Sequence, residues 1–194
     1  MCIDYACGPD ACKTSCASDL DCVNDDYCDA SKCKPRCQTP TNDNLVPNAG
    51  FDRTNWTYDG TPENASMTFW QSTDSTGCAN SGSARVGPGG IFSDCFPVQP
   101  GKSYFFGFMY RAPNLNNNTQ NCGVGWYDDV GCANVVSPGT FAGPVAGSGW
   151  QKTPSFSVVV PANATHAKIA CINFETSVFF EVDRAYYNAV APAF

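Results

Sequence analysis

The chain has 194 residues, a formal charge of -7 and a pI near 4.4, which makes a phosphate backbone or an anionic membrane surface a poor partner. Charged residues are only 15% of the total, while aromatics reach 13% and Gly and Pro number 17 and 14; this argues against a charge-laced helical protein and for strands joined by turns. Thirteen cysteines exclude a reducing compartment, because such density persists as disulfides only in oxidising surroundings, so the chain is read as secreted or displayed at the cell surface.

No apolar run reaches the roughly 20 residues of a membrane span. Met1 leads straight into Cys2 without the basic and apolar regions of a signal peptide, so Met1 is read as a start placed on an already trimmed chain.

Residues 1–37 hold eight cysteines, Cys2, Cys7, Cys12, Cys16, Cys22, Cys28, Cys33 and Cys37, with hardly any large apolar side chain between them. A segment without a core cannot offset its chain entropy by burial, and covalent loops worth about 2–4 kcal/mol each must hold it. Zinc is disfavoured because the spacers lack a two-residue knuckle and no His is near. Four disulfides are expected, with their pairing open among 105 connectivities. Residues 38–43 (Gln38, Thr39, Pro40 and their neighbours) carry turn formers without apolar periodicity and read as a linker.

From residue 44 to 194 apolar and aromatic runs alternate with Gly, Pro and Asn clusters. Strands are expected over 44–51, 66–71, 83–86, 91–98, 103–111, 123–127, 150–160, 166–174 and 178–187, with no significant helix. The fold class is therefore all-β, a β-sandwich or jelly roll behind a small disulfide-rich domain. In the run 104–111 alternation sends Tyr104, Phe106, Phe108 and Tyr110 to one face and Phe105, Gly107, Met109 and Arg111 to the other. An inner face of rings must pack on the second sheet, and an outer face carrying Phe105 and Met109 beside a cation is covered by a loop or kept for a ligand. Cys78, Cys95, Cys122, Cys132 and Cys171 are expected to form two disulfides and leave one thiol over, since thirteen is odd.

Two resemblances add to this reading. Residues 16–33, with Cys16-Ala-Ser-Asp-Leu-Asp-Cys22 and Cys28-Asp-Ala-Ser-Lys-Cys33, resemble the short cysteine-rich repeats of secreted myxobacterial proteins. Asn44-Leu-Val-Pro-Asn-Ala-Gly-Phe-Asp52 followed by Trp56, Val98-Gln-Pro-Gly-Lys-Ser-Tyr104, Gly149-Trp-Gln-Lys152 with Val-Pro-Ala at 160–162, and a closing strand with Asp183 resemble carbohydrate-binding modules of families four, nine and twenty-two. The second resemblance implies a jelly roll that binds polysaccharide or glycan without catalysis. It also implies a structural Ca²⁺ held by Asp52, Asp183 and the carbonyls of Lys102 and Gly50, against the alternative of an Asp52 that caps a turn and an Asp183 paired with Arg53 or Arg184.

Sugar recognition combines rings that stack on C–H faces with polar groups that read hydroxyls. That points to Phe105, Met109, Arg111 and Tyr127, with Trp70 and Trp126 near the edge, although Trp126 alternates with Val124 toward the inside. Trp56, Trp150, Phe106, Phe108 and Phe156 are assigned to the core. An enzyme is not expected: the single His166 has no nucleophile motif near it, Asp128 and Asp129 are adjacent in a turn, and Glu175 with Glu181 is the one carboxylate pair worth testing. The rival to glycan binding is a surface adhesion or self-assembling structural protein that uses the same sandwich, with self-association through the apolar face or the odd cysteine.

Overall fold

Alternation along 103–112 sets the architecture. In a computed structural model that describes residues 14–17, 21, 27–29, 31–34, 44–51, 56–59, 67–77, 81–114 and 120–190, this segment is one long strand with Tyr104, Phe106, Phe108, Tyr110 and Ala112 buried. The chain divides into two compact units, Met1–Gln38 and Thr39–Phe194.

In the first unit a short antiparallel hairpin joins β1 (Tyr27–Asp29) to β2 (Lys32–Lys34). Its turn places Ser31 at φ 65°, and the Ser31 carbonyl accepts the Cys16 N–H at 3.1 Å. A disulfide links Cys16 to Cys28 across 12 residues, a loop whose closure is worth about 3 kcal/mol. Cys33 is also disulfide-bonded. Cys2, Cys7, Cys12, Cys22 and Cys37 lie outside the described residues.

The second unit is an all-β sandwich, with no α-helix among the described residues. Its strands are β3 (Thr57–Asp59), β4 (Phe69–Gln71), β5 (Ser83–Val86), β6 (Gly89–Phe92), β7 (Phe96–Pro97), β8 (Ser103–Ala112), β9 (Gln120–Tyr127), β10 (Val135–Ala142), β11 (Gly147–Lys152), β12 (Phe156–Val159), β13 (His166–Asn173) and β14 (Phe180–Asn188). The front sheet runs β11-β8-β14-β5-β4, with β12 also paired to β8; the back sheet runs β10-β9-β13-β6-β3, with β7 also paired to β13. All pairings are antiparallel.

The inward rings of β8 meet Val124, Trp126, Ile169, Ile91 and Phe96 of the back sheet. Tyr187 ties the two layers together. Its ring stacks on Tyr104 with centroids 4.8 Å apart, and its hydroxyl accepts the Trp126 indole N–H at 3.1 Å. Burial pushes that hydroxyl up to about 12, so it stays a neutral partner under ordinary conditions.

Two disulfides staple the sandwich. Cys122 on β9 and Cys171 on β13 stand opposite each other in register, fully buried, and bond across 49 residues. Cys95 and Cys132 bond across 37 residues and tie the β6–β7 connection to the turn after β9. The expected two bridges are thus Cys95–Cys132 and Cys122–Cys171; Cys78 lies outside the described residues.

Three departures from the sequence expectation have physical causes. Residues 44–51 are turn rather than strand, yet they lie along β14: the Asn44 side chain donates to the Ala185 carbonyl and accepts the Tyr187 N–H, and Leu45 N–H bonds the Tyr187 carbonyl. The run 91–98 is broken into the end of β6 and β7, and 150–160 into β11 and β12, which follow each other along one edge of β8. β10 was hidden by Pro138, which a sheet tolerates only at its edge or in a bulge, and by Gly139, which weakens a strand. β10 is indeed an edge strand with two register shifts, and Gly139 sits at φ 87° where a Cβ would overlap the Val124 carbonyl oxygen.

Candidate functional site

The outer face of the front sheet gathers the chemistry. Antiparallel register places Arg111 of β8 opposite Glu181 of β14, Glu181 opposite Arg85 of β5, and Arg85 opposite Phe69 of β4. Trp150 of β11 extends this row: the Arg111 guanidinium lies 5.3 Å from its ring centroid. Phe179, just before β14, closes the other side, with the Arg85 guanidinium 3.5 Å from its ring centroid and 5.4 Å from that of Phe69. Five strands therefore contribute one line of side chains, Trp150, Arg111, Glu181, Arg85 and Phe69, about 19 Å from end to end at the usual strand spacing.

Glu181 is the floor of the row. It is 3% exposed, and its carboxylate takes charge-assisted bonds from the Arg111 Nε and Nη2 on one oxygen and from the Gln71 amide at 2.8 Å on the other. Such a buried carboxylate is tolerable only when paired and hydrogen-bonded. The pair fixes the Arg111 plane beneath Trp150 while leaving the Arg111 side chain 28% exposed.

A second row lies beside the first, with Lys152 opposite Met109 and Met109 opposite Asp183. Asp183 is fully buried and accepts the Ser75 N–H at 2.9 Å and the Arg184 N–H at 2.7 Å. Burial, partly offset by hydrogen bonding to Ser75 and reinforced by repulsion from Asp74, pushes its carboxyl up to about 7. Further along, Tyr186 fills the face over Gly107, where a Cβ would meet the Tyr186 hydroxyl at 2.3 Å.

Of the ligand residues expected from sequence, the fold brings Arg111 and Met109 together. Phe105 shares their face but pairs with Asn188 and Ser157, six positions from Arg111 along β8 and roughly 20 Å away, beyond Tyr186. Tyr127 is on the outer face of the back sheet, opposite His166 and Val135, so it belongs to the other side of the sandwich. Burial and then the charge of Asp129 raise its hydroxyl pKa. Trp70 and Trp126 turn inward. Trp70 packs against the core and donates its indole N–H to the Phe51 carbonyl at 2.6 Å, and Trp126 is 5% exposed beneath Tyr187.

Trp150 corrects the reading in the other direction: it was assigned to the core and stands half-buried beside Arg111. No local sequence signal marks Phe69, Arg85 or Phe179 as a group. Glu175 sits in the β13–β14 turn, its N–H on the Asn173 side chain, while Glu181 is already committed to Arg111 and Gln71.

Of the residues expected to hold calcium, the structure does not bring Lys102 and Asp183 together. Asp52 and Arg53 lie outside the described residues. The Lys102 carbonyl accepts the Val160 N–H just before β8, whereas Asp183 faces Met109, seven positions further along, roughly 23 Å away. The Gly50 carbonyl accepts the Ser81 hydroxyl at 2.7 Å. One ion with metal–oxygen distances near 2.4 Å cannot reach both Lys102 and Asp183, and no cluster of three or more acidic, His or Cys ligands occurs among the described residues. At residue 184 Asp183 accepts the backbone N–H, and the alternative partner Arg53 lies outside the described residues.

The fold is one found in carbohydrate-binding modules. No family model matches the chain, and no curated protein matches it. Among solved structures it is similar to a carbohydrate-binding module of family 16, at a TM-score of 0.53 and 11% identity over 74% of this chain and 99% of that one. It is also similar to the enzymatically active domain of tailspike protein 4 from bacteriophage CBA120, at a TM-score of 0.56 and 17% identity over 75% of this chain. The match spans about a fifth of the tailspike chain, 21%.

Proposed function

We propose that this is a secreted, noncatalytic carbohydrate-binding protein whose ligand lies across the front sheet, over Trp150, Arg111, Arg85 and Phe69. The observation that carries the reading is the row itself: rings at both ends and two guanidinium groups between them, Arg111 held by a buried carboxylate that belongs to the scaffold and Arg85 lying against Phe179. Rings offer stacking surface to the C–H faces of a sugar, and the cations and Gln71 offer donors to its oxygens. Secretion is supported by the disulfides, and a glycan ligand by the likeness to the family 16 module, which this chain covers almost end to end. No helix among the described residues is long and apolar enough to cross a membrane.

Calorimetric titration against a panel of plant, bacterial and algal polysaccharides tests the proposal. At least one polymer should bind, and Trp150→Ala should weaken it about tenfold or more, the effect of removing an aromatic anchor, with the thermal midpoint little changed. Absence of binding to every polymer, or full affinity in the Trp150→Ala protein, would overturn it.

A further inference from the structure

Arg85 distinguishes this face from a platform for neutral sugars. Its neighbour in register, Glu181, has both carboxylate oxygens engaged by Arg111 and Gln71. The next acid on the face, Asp183, accepts the backbone N–H groups of Ser75 and Arg184. The Arg85 side chain has no hydrogen-bond or ion-pair partner among the described residues, and its Nε is buried without one. What holds it is apolar: the guanidinium lies against Phe179 at 3.5 Å and near Phe69 at 5.4 Å. Two guanidinium groups thus flank a single carboxylate, leaving one positive charge in excess along the row. A guanidinium flattened on a ring keeps its in-plane N–H edge for a planar two-oxygen partner.

We propose that the front face selects acidic polysaccharides, with the carboxylate of a uronic acid residue docking on Arg85 while neighbouring sugars lie over the flanking rings. The inference rests on the glycan-binding reading above and sharpens it to a ligand class. Overall charge works against such a ligand, since the protein carries -7. Screening over about 8 Å at physiological ionic strength nevertheless leaves the local cation to decide. A preference for an acidic polymer would consequently have to come from a specific site.

The full chain is titrated with polygalacturonate and with the same polymer after chemical reduction of its carboxyl groups to alcohols. The native polymer should bind about tenfold tighter or more, the scale of a charge-assisted two-point contact. Arg85→Gln should abolish that preference, bringing the two polymers to similar affinity, and Arg85→Lys, which keeps the charge and loses the fork, should retain part of it; far-ultraviolet circular dichroism verifies the fold of each variant. Equal binding of native and reduced polymers by the wild-type protein, or an undiminished preference in folded Arg85→Gln, overturns the acidic selectivity. Binding to a neutral polymer that depends on Trp150 would then leave the broader proposal standing, whereas failure to bind any glycan removes both.

Discussion

Replacing Cys122 and Cys171 together by alanine measures how much of the sandwich's stability resides in one cross-strand link. The bridge closes 49 residues, and loop-closure entropy for that length corresponds to about 4 kcal/mol at 25 °C. Both cysteines are fully buried, so the missing sulfurs also leave a void whose cost adds to the entropic loss. A domain of this size has a total stability on the order of 5–15 kcal/mol, so the variant should fold but with a narrow margin. With a urea slope of about 2 kcal/mol per molar, the midpoint should drop by about 2 M, and the thermal midpoint by about 10 °C. The Cys95→Ala/Cys132→Ala pair is the control: its 37-residue loop gives nearly the same entropy, but its cysteines are only half-buried, so it should lose less. Urea unfolding followed by tryptophan fluorescence compares the two. A midpoint shift under about 0.5 M for the buried pair, or a larger shift for the outer pair, would refute the reasoning from loop length and burial.

Asp183 gives the protein a pH signature. Its folded-state pKa, about 7, lies above the ordinary 3.8, so between those values the folded protein binds more protons than the unfolded one. The contribution of Asp183 is fully present below about 3.8 and is lost as pH rises through about 7. Asp183→Asn should therefore show a shallower decline in thermal midpoint between these pH values; parallel curves for variant and wild type would contradict the assignment. Tyr127 tests the sidedness of the site: Tyr127→Ala should leave polysaccharide affinity within about twofold of wild type, because its ring is on the opposite sheet, and a loss comparable to that of Trp150→Ala in the same titration would move the site to the back.

How much of this could be read from the residues depends on how far apart in the chain the partners lie. The alternation of Tyr104 to Arg111 states which rings are inside, and β8 is as expected because one strand contains all the information needed. Trp126 illustrates the same point: it stands among the expected ligand residues, but its alternation with Val124 sends it inward, and it is inward. Trp150 failed for a local reason. In Gly-Trp-Gln-Lys both faces look alike, and the irregular pairing of β11 with β8 between Gly147 and Gln151 decides which way the indole points. Phe69, Arg85, Glu181 and Arg111 become a site only through cross-strand register among segments spread from residue 69 to residue 181, a relation that no window on the sequence contains. The separation of Lys102 from Asp183 has the same origin, since both motifs are present and the length of β8 keeps them apart. Disulfide pairing was open by arithmetic, and it took the register of β9 against β13 to put Cys122 opposite Cys171.

The bulge at Arg184, φ 49°, where β14 leaves β5 and the Asn44 amide takes over the vacated edge, has an architectural consequence. Chain enters the sandwich at Asn44 and leaves it beside Tyr187, at a single doorway. A unit with one doorway can be spliced into a loop of a host protein, or have its ends rejoined and a new opening cut elsewhere, with little disturbance to the layers behind it.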